Sequence, residues 1–185
     1  VQAGPTQDVL GCLNGYDVAC AAEHLAEIDV QASTSAKVWR VAAEVAFYQG
    51  QYELAVQRLT RAVELGDPDP YGDLPLYERT RDVLGSYNEL GFENFTVRYR
   101  AGMDAVIADR AGSVAALARK NLAPLLIGAP PAMTPIEIFP DASSFIQCSS
   151  LTEDNVRTTG VVALSKWNRL LLTSPRALGR GYDWM

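Results

Sequence analysis

Two helical segments joined by a glycine turn most constrain the first half of this chain. Residues 36–69 read AKVWRVAAEVAFYQGQYELAVQRLTRAVELGDPD, with apolar or small residues at helical spacing on both sides of YQGQYE. Small side chains let two antiparallel helices approach closely, and Gly50 allows a tight turn between them. The pattern therefore predicts a helical hairpin in an α-helical domain that spans residues 1–90.

The spacing of six residues in this window resembles the tetratricopeptide repeat. These packing residues are Trp39, Ala43, Gly50, Tyr52, Ala55 and Ala62. Two features depart from the repeat, because Ala46 stands where an aromatic residue is common and Pro68 lies one place late. The preceding segment LNGYDVACAAEHLAEID repeats the second half of the pattern, and a further helix over 76–90 is expected to cap the array.

One full and two partial repeat units give the array two alternative roles. Repeat units bury their faces only by stacking, and about three are needed for a stable stack. The array can form a groove that binds an extended peptide or a partner protein. It can also be a packing module that orients the following domain, which we favour because so short an array has little concave surface.

The character of the chain changes at Gly91, where strand-like patterns begin. NFTVRYRAG alternates as a half-buried strand does, and PIEIFP, GVVAL and LLLTS add three short strands. Residues 104–127 predict a long helix whose apolar stripe comprises Val106, Ile107, Val114, Leu117, Ala118 and Leu122. The predicted fold class is α+β, with a helical hairpin array followed over 91–185 by a small mixed sheet that carries one long crossover helix.

Charge and hydropathy argue against nucleic-acid binding and against a membrane-spanning segment. The net charge is −6 and the basic residues are interspersed among acidic ones, so no basic stripe is available to neutralise nucleic-acid phosphates. No apolar run approaches the roughly 18 residues of a membrane-spanning helix. We therefore expect neither nucleic-acid binding nor a membrane-spanning segment.

Few residues offer catalytic or metal-binding chemistry. His24 is the only histidine and no CxxC pair occurs, so the sequence assigns no catalytic residue and no metal ligand. Cys12 and Cys20 can meet across a helical turn as a disulfide, or they can be two small buried residues. Cys148 is free in the first case.

Residues 92–185 resemble the front half of a gluzincin-type metallopeptidase domain of the peptidase MA-like family, which often follows tetratricopeptide repeats. PIEIFPDASSF, TGVVALSKWNRLLLTSPRAL and RGYDWM carry this resemblance. It implies a following helix with an H-E-x-x-H motif, whose histidines bind zinc and whose glutamate activates water. It also implies that an edge strand pairs with the substrate backbone. By order along the chain this strand comprises Gly160, Val161, Val162, Ala163 and Leu164, unless it is simply a covered strand.

The H-E-x-x-H motif itself does not occur in these 185 residues. Either the chain stops before that helix, which we favour, or the protein has lost catalysis. The resemblance thus implies an extracytoplasmic bacterial protein, periplasmic or envelope-associated, in which zinc belongs only to a longer parent protein. The alternatives are a non-enzymatic adaptor that binds a partner through its helical repeats and a structural component of the envelope.

We expect the purified, oxidised chain to contain no stoichiometric zinc and to cleave no generic protease substrate, because a lone histidine cannot supply the motif. Metal analysis together with a protease assay checks this expectation. Stoichiometric zinc in this chain would contradict it.

Overall fold

A computed structural model of the chain describes residues 4–125 and 133–178. Two compact units divide between Arg81 and Asp82: an N-terminal unit, residues 1–81, and a C-terminal unit, residues 82–185. Sequence patterns place the domain boundary at residues 90 and 91. The described residues hold eight α-helices and a five-stranded mixed sheet, which confirms the α+β class.

The N-terminal unit is built from short helices that pair along the chain. Helix α1 packs on α2, and α3 packs on α4. Asp17 caps α2 by accepting a hydrogen bond from the Cys20 backbone N–H at 2.9 Å. The helices are α1 (Pro5–Asn14), α2 (Val18–Ala26), α3 (Ala36–Tyr48), α4 (Tyr52–Glu64) and α5 (Asp73–Leu84).

The interface of α3 with α4 buries all six predicted packing residues. Gly50 adopts a φ of 74°, the left-handed conformation that favours glycine, and this lets the chain reverse in three residues. The Tyr52 ring lies edge-on to Phe47 with centroids 5.4 Å apart, and Phe47 stacks on Tyr77 at 3.9 Å. Any close-packed helix pair buries such residues, so the tetratricopeptide assignment stays a prediction.

The predicted capping helix over 76–90 is wrong at both ends. Helix α5 begins at Asp73 and ends at Leu84, and Asn88–Gly91 form a strand. The helix ends before Gly85, which has low helix propensity. Residues 88–91 instead pair with the strand that follows them.

The sheet of the C-terminal unit has the strand order β1-β2-β3-β5-β4. Strands β2, β3 and β5 are parallel, and the outer strands β1 and β4 are antiparallel to their neighbours. A parallel pair requires a crossover, and α6 provides it between β2 and β3. The strands are β1 (Asn88–Gly91), β2 (Phe95–Tyr99), β3 (Thr134–Phe139), β4 (Ala163–Lys166) and β5 (Arg169–Thr173). The helices are α6 (Asp104–Leu122), α7 (Ala142–Gln147) and α8 (Glu153–Thr159), with 3₁₀ turns at Ala123–Leu125 and Pro175–Ala177.

Of the predicted apolar stripe of α6, Ile107 packs against the core beneath the helix, whereas Val106, Val114, Leu117 and Leu122 are exposed. Val106 is 80% exposed and Leu117 is 59% exposed. The helix instead buries Ala108, Ala111 and Gly112, because small residues allow it to lie close to the aromatic and branched side chains of β2 and β3. It ends at Leu122, and residues 126 and 127 of the predicted helix lie outside the described ranges.

The opposite face of the sheet holds a buried ion pair. Arg169 of β5 donates to Glu137 of β3 from Nε, at 3.1 Å, and from Nη2. Helix α7 covers this face with Phe145, whose ring meets Phe139 at 6.0 Å. Both faces of β3 are therefore covered, as its almost wholly buried sequence requires.

Gly112→Ala should destabilise the protein by about 1–3 kcal/mol, because the added Cβ would lie 2.1 Å from Cε2 of the Phe92 ring. Gly11→Ala in α1 is the matched control, since its Cβ meets no atom within 4 Å. That change should stabilise by about 0.5–1 kcal/mol. Denaturant unfolding of both variants measures the difference, and equal shifts of the two would contradict the close packing of α6.

Candidate functional site

Strand β4 forms one edge of the sheet and is held there by a tight hairpin with β5. Trp167 and Asn168 have φ values of 56° and 58°, as both central residues of a type I′ turn require. The Asn168 side chain fixes the turn by donating from Nδ2 to the Met133 carbonyl oxygen at 2.9 Å. The hairpin register pairs Leu164 with Leu171 and Lys166 with Arg169.

The backbone groups of β4 divide between its two sides. Thr173 N–H donates to the Val162 carbonyl oxygen at 2.8 Å, so residues 162, 164 and 166 direct their backbone groups toward β5. Ala163 and Ser165 consequently direct their N–H and C=O groups away from β5. Within the described residues no further strand lies beyond β4, so these four groups face an open edge.

The predicted binding strand over 160–164 begins three residues too early. Gly160 ends helix α8 with a φ of 64°, and Val161 and Val162 precede the strand. Only Ala163 and Leu164 of the predicted set belong to β4, which continues to Lys166. Helix α8 itself was missed, although Thr152 and Asn155 form a capping box and glycine commonly follows a helix end.

Two leucine side chains of β5 are only partly covered on the face of the hairpin that is turned toward α6. Antiparallel register places Ala163 opposite Leu172 and Ser165 opposite Leu170 on one face. Leu170 and Leu172 pack against the core under α6 but are only partly buried. Small residues on the edge strand therefore adjoin accessible leucine side chains.

The segment that follows β5 is tied to the first turn of α6. The buried carboxylate of Asp104 accepts hydrogen bonds from Ser174 Oγ at 2.8 Å and from Arg176 Nε at 2.9 Å and Nη2 at 3.0 Å. These bonds raise the pKa of Arg176. They hold residues 174 and 176 against the start of α6.

The N-terminal unit contains an arginine surrounded by carboxylates. Arg40 donates to Asp67 from Nε at 2.7 Å, to Asp69 from Nη2 at 3.0 Å and to Asp73 from Nη1 at 2.9 Å. The hydrogen bond between Arg40 and Asp67 raises the arginine pKa and lowers that of the carboxyl group. This cluster holds the loop between α4 and α5 against α3.

Glu44, one helical turn after Arg40, changes protonation near neutral pH. Burial raises the pKa of Glu44 to about 7, and the nearby Arg40 opposes the shift. Burial also raises the pKa of Tyr48 to about 12, with a smaller contribution from Glu44. Because burial is the largest cause, the shift reports the packing of α3 and does not by itself indicate a reacting group.

A disulfide links α1 to α2 close to the single histidine. Cys12 and Cys20 are bonded with their Cα atoms 5.7 Å apart, and Cys148 is buried and takes no part in a disulfide. The Sγ atoms and one His24 ring nitrogen lie within 4.8 Å of one another. Cys20 precedes His24 by one helical turn on α2, which brings the two side chains to the same face of the helix. The disulfide occupies both thiols, so metal binding here would first require reduction.

Comparison with protein-family models, with curated proteins and with solved structures finds no match to this chain. None of the helices in the described ranges combines the length and the apolarity needed to cross a bilayer.

Glu44→Gln should stabilise the protein by about 3 kcal/mol above pH 7 and leave its stability little changed at pH 4. The folded-state pKa is raised from 4.5 to about 7, so wild-type stability is fully present below pH 4.5 and falls as the pH rises toward 7. Denaturant unfolding between pH 4 and pH 8 checks this, with the exposed Glu23→Gln as control. A Glu44→Gln effect that does not change with pH would contradict the assignment.

Proposed function

We propose that the C-terminal unit contributes the substrate-binding, non-catalytic part of a gluzincin-type metallopeptidase domain, and that β4 binds an extended peptide by strand addition. The observation that carries the proposal is the open edge of β4, where Ala163 and Ser165 direct their backbone groups away from β5. The order of strand, crossover helix, strand and terminal hairpin supports the resemblance described above.

Strand addition at β4 has a limited affinity that can be estimated. Ala163 and Ser165 offer two donors and two acceptors to an incoming backbone, which allows four hydrogen bonds. At about 1 kcal/mol net for each bond, the dissociation constant is on the order of 1 mM. A substrate-binding edge strand with such affinity binds many peptide sequences weakly, because hydrogen bonds to the backbone do not depend on the side chains.

The surroundings of the edge suit a peptide with apolar side chains. Ala163 and Ser165 are small, so they leave space on the α6 face for substrate side chains, which can contact the partly exposed Leu170 and Leu172. The resemblance implies a zinc-binding helix after the RGYDWM segment, residues 180–185.

We propose no catalytic zinc site for these 185 residues. His24 is the only imidazole, and its neighbouring sulfurs are joined in a disulfide. We therefore propose peptide binding, and no hydrolysis, for these residues. The Cys12–Cys20 disulfide supports the proposed extracytoplasmic location, because such bonds persist in oxidising compartments.

Ser165→Pro should weaken peptide binding at β4 by about fivefold or more, because proline removes the outward N–H without touching a hydrogen bond to β5. Ser165→Ala keeps the backbone donor and should bind like the wild type. NMR titration of the 185-residue chain with an unstructured hexapeptide rich in valine and threonine measures binding, and the expected shifts are at Ala163 and Ser165.

The unfolding midpoint of each variant reports whether the hairpin is intact. Unchanged binding by a folded Ser165→Pro variant would contradict strand addition at this edge. An absence of any shift at Ala163 and Ser165 with several millimolar peptide would also contradict it.

A further inference from the structure

A groove in the N-terminal unit lies among α2, the loop after it, α3 and α4. Its volume is about 380 Å³, at the lower end of the range of small-molecule sites. Leu25, Val30 and Val45 form an apolar wall. Gln49 and Gln51, at the turn between α3 and α4, provide amide groups, and Arg58 of α4 provides a guanidinium group.

The guanidinium group of Arg58 is incompletely satisfied within the protein. Its Nη1 donates to the Ala42 carbonyl oxygen at 2.9 Å, whereas its Nε is inaccessible to solvent and has no hydrogen-bond partner. Burial lowers the pKa of Arg58. Buried donors without an acceptor are rare and costly, so this group requires an explanation.

Arg61, three residues later on the same helix, has the ordinary surroundings of a surface arginine. It is exposed and donates to Glu64 at 2.8 Å. Among the described residues Arg58 forms no such ion pair. The contrast shows a positive charge at the side of an apolar groove that forms no ion pair with a carboxylate of the described residues.

We infer that this groove binds a carboxylate attached to an aliphatic group. The guanidinium group of Arg58 takes the carboxylate, which is the anion that matches its planar set of donors. The aliphatic group lies against the apolar wall of Leu25, Val30 and Val45.

The charge of the lining limits the ligand further. Asp29 also borders the groove, and its Oδ1 accepts a hydrogen bond from the Ala32 backbone N–H at 3.1 Å. A second carboxylate on the ligand would be repelled by Asp29. The groove therefore selects a monocarboxylate, such as a branched-chain acid or the C-terminal residue of a peptide.

N-acetyl-leucine and N-acetyl-leucinamide test the inference on the wild-type chain. They share the aliphatic group and differ in the carboxylate, so the acid should bind about 10- to 100-fold more tightly than the amide. NMR titration should show shifts at the Gln49 and Gln51 backbone amides. N-acetyl-aspartate, with two carboxylates, should bind more weakly than N-acetyl-leucine.

Variants at two arginines of α4 provide the matched comparison. Arg58→Gln should lose the preference for acid over amide, whereas Arg61→Gln should keep it. Arg58→Lys retains the charge without the planar donor set and should lose about tenfold in affinity. Should Arg58→Gln fail to fold, the comparison of N-acetyl-leucine with N-acetyl-leucinamide on the wild-type chain still tests whether the groove recognises a carboxylate.

A tetrapeptide with a C-terminal leucine, compared with its amidated form, distinguishes a peptide C-terminus from a free branched-chain acid as the ligand. Tighter binding of the free-carboxylate peptide than of N-acetyl-leucine supports the inference with a chain terminus as ligand, and weaker binding supports it with a free acid. Equal binding of acid and amide would overturn the inference, as would an absence of binding or an unchanged preference in folded Arg58→Gln. The Ser165→Pro variant should bind N-acetyl-leucine normally, so this result is independent of the proposed role of β4.

Discussion

The backbone of β4 is hydrogen-bonded to the sheet on one side only, and the proposed role of the C-terminal unit depends on this. Leu164 and Lys166 direct their backbone groups to β5, while Ala163 and Ser165 direct theirs outward. Such an edge is a template for any extended chain, including a second copy of the protein. Strand β4 is only four residues long and carries Lys166. A short, charged edge disfavours self-association and still leaves room for a short peptide.

The position of this edge follows from interactions deeper in the sheet. Strand β5 is fixed to β3 by parallel pairing and by the buried pair of Arg169 with Glu137. Removing one member of such a pair costs about 3–5 kcal/mol, because the other charge remains buried. Its value here is specificity of register: a slip of β5 along β3 would separate the two charges. The type I′ turn at Trp167 and Asn168 then transfers the register of β5 to β4.

Local patterns predicted the elements better than the faces they bury. The spacing around Gly50 indicated α3 and α4, and the alternation after Gly91 indicated β2. Helix α6 shows why faces are harder. The hydrophobic pattern selects the largest apolar residues, such as Val106 and Leu117, whereas close approach to a sheet selects small ones, such as Ala111. The residues around Gly112 in the sequence do not indicate that the Phe92 ring fills the space where a side chain at position 112 would lie.

The sites show a similar division. The helical spacing of Cys20 and His24 was readable from the sequence, and so was the capping box that begins α8 with Gly160 as its end. The contacts of Arg40 and Arg58 were not readable, because each depends on groups that are 16 to 33 residues away along the chain. Tertiary packing decides which arginine receives carboxylates and which is left with a backbone carbonyl.

Amide hydrogen exchange along β4 tests the central claim most directly. In the free chain, the amides of Leu164 and Lys166 should be protected by β5, and those of Ala163 and Ser165 should exchange at nearly the rate of an unfolded chain. An extended peptide at several millimolar should slow exchange at Ala163 and Ser165 alone. Protection of these two amides without peptide, or their continued rapid exchange with saturating peptide, would contradict an open, peptide-binding edge.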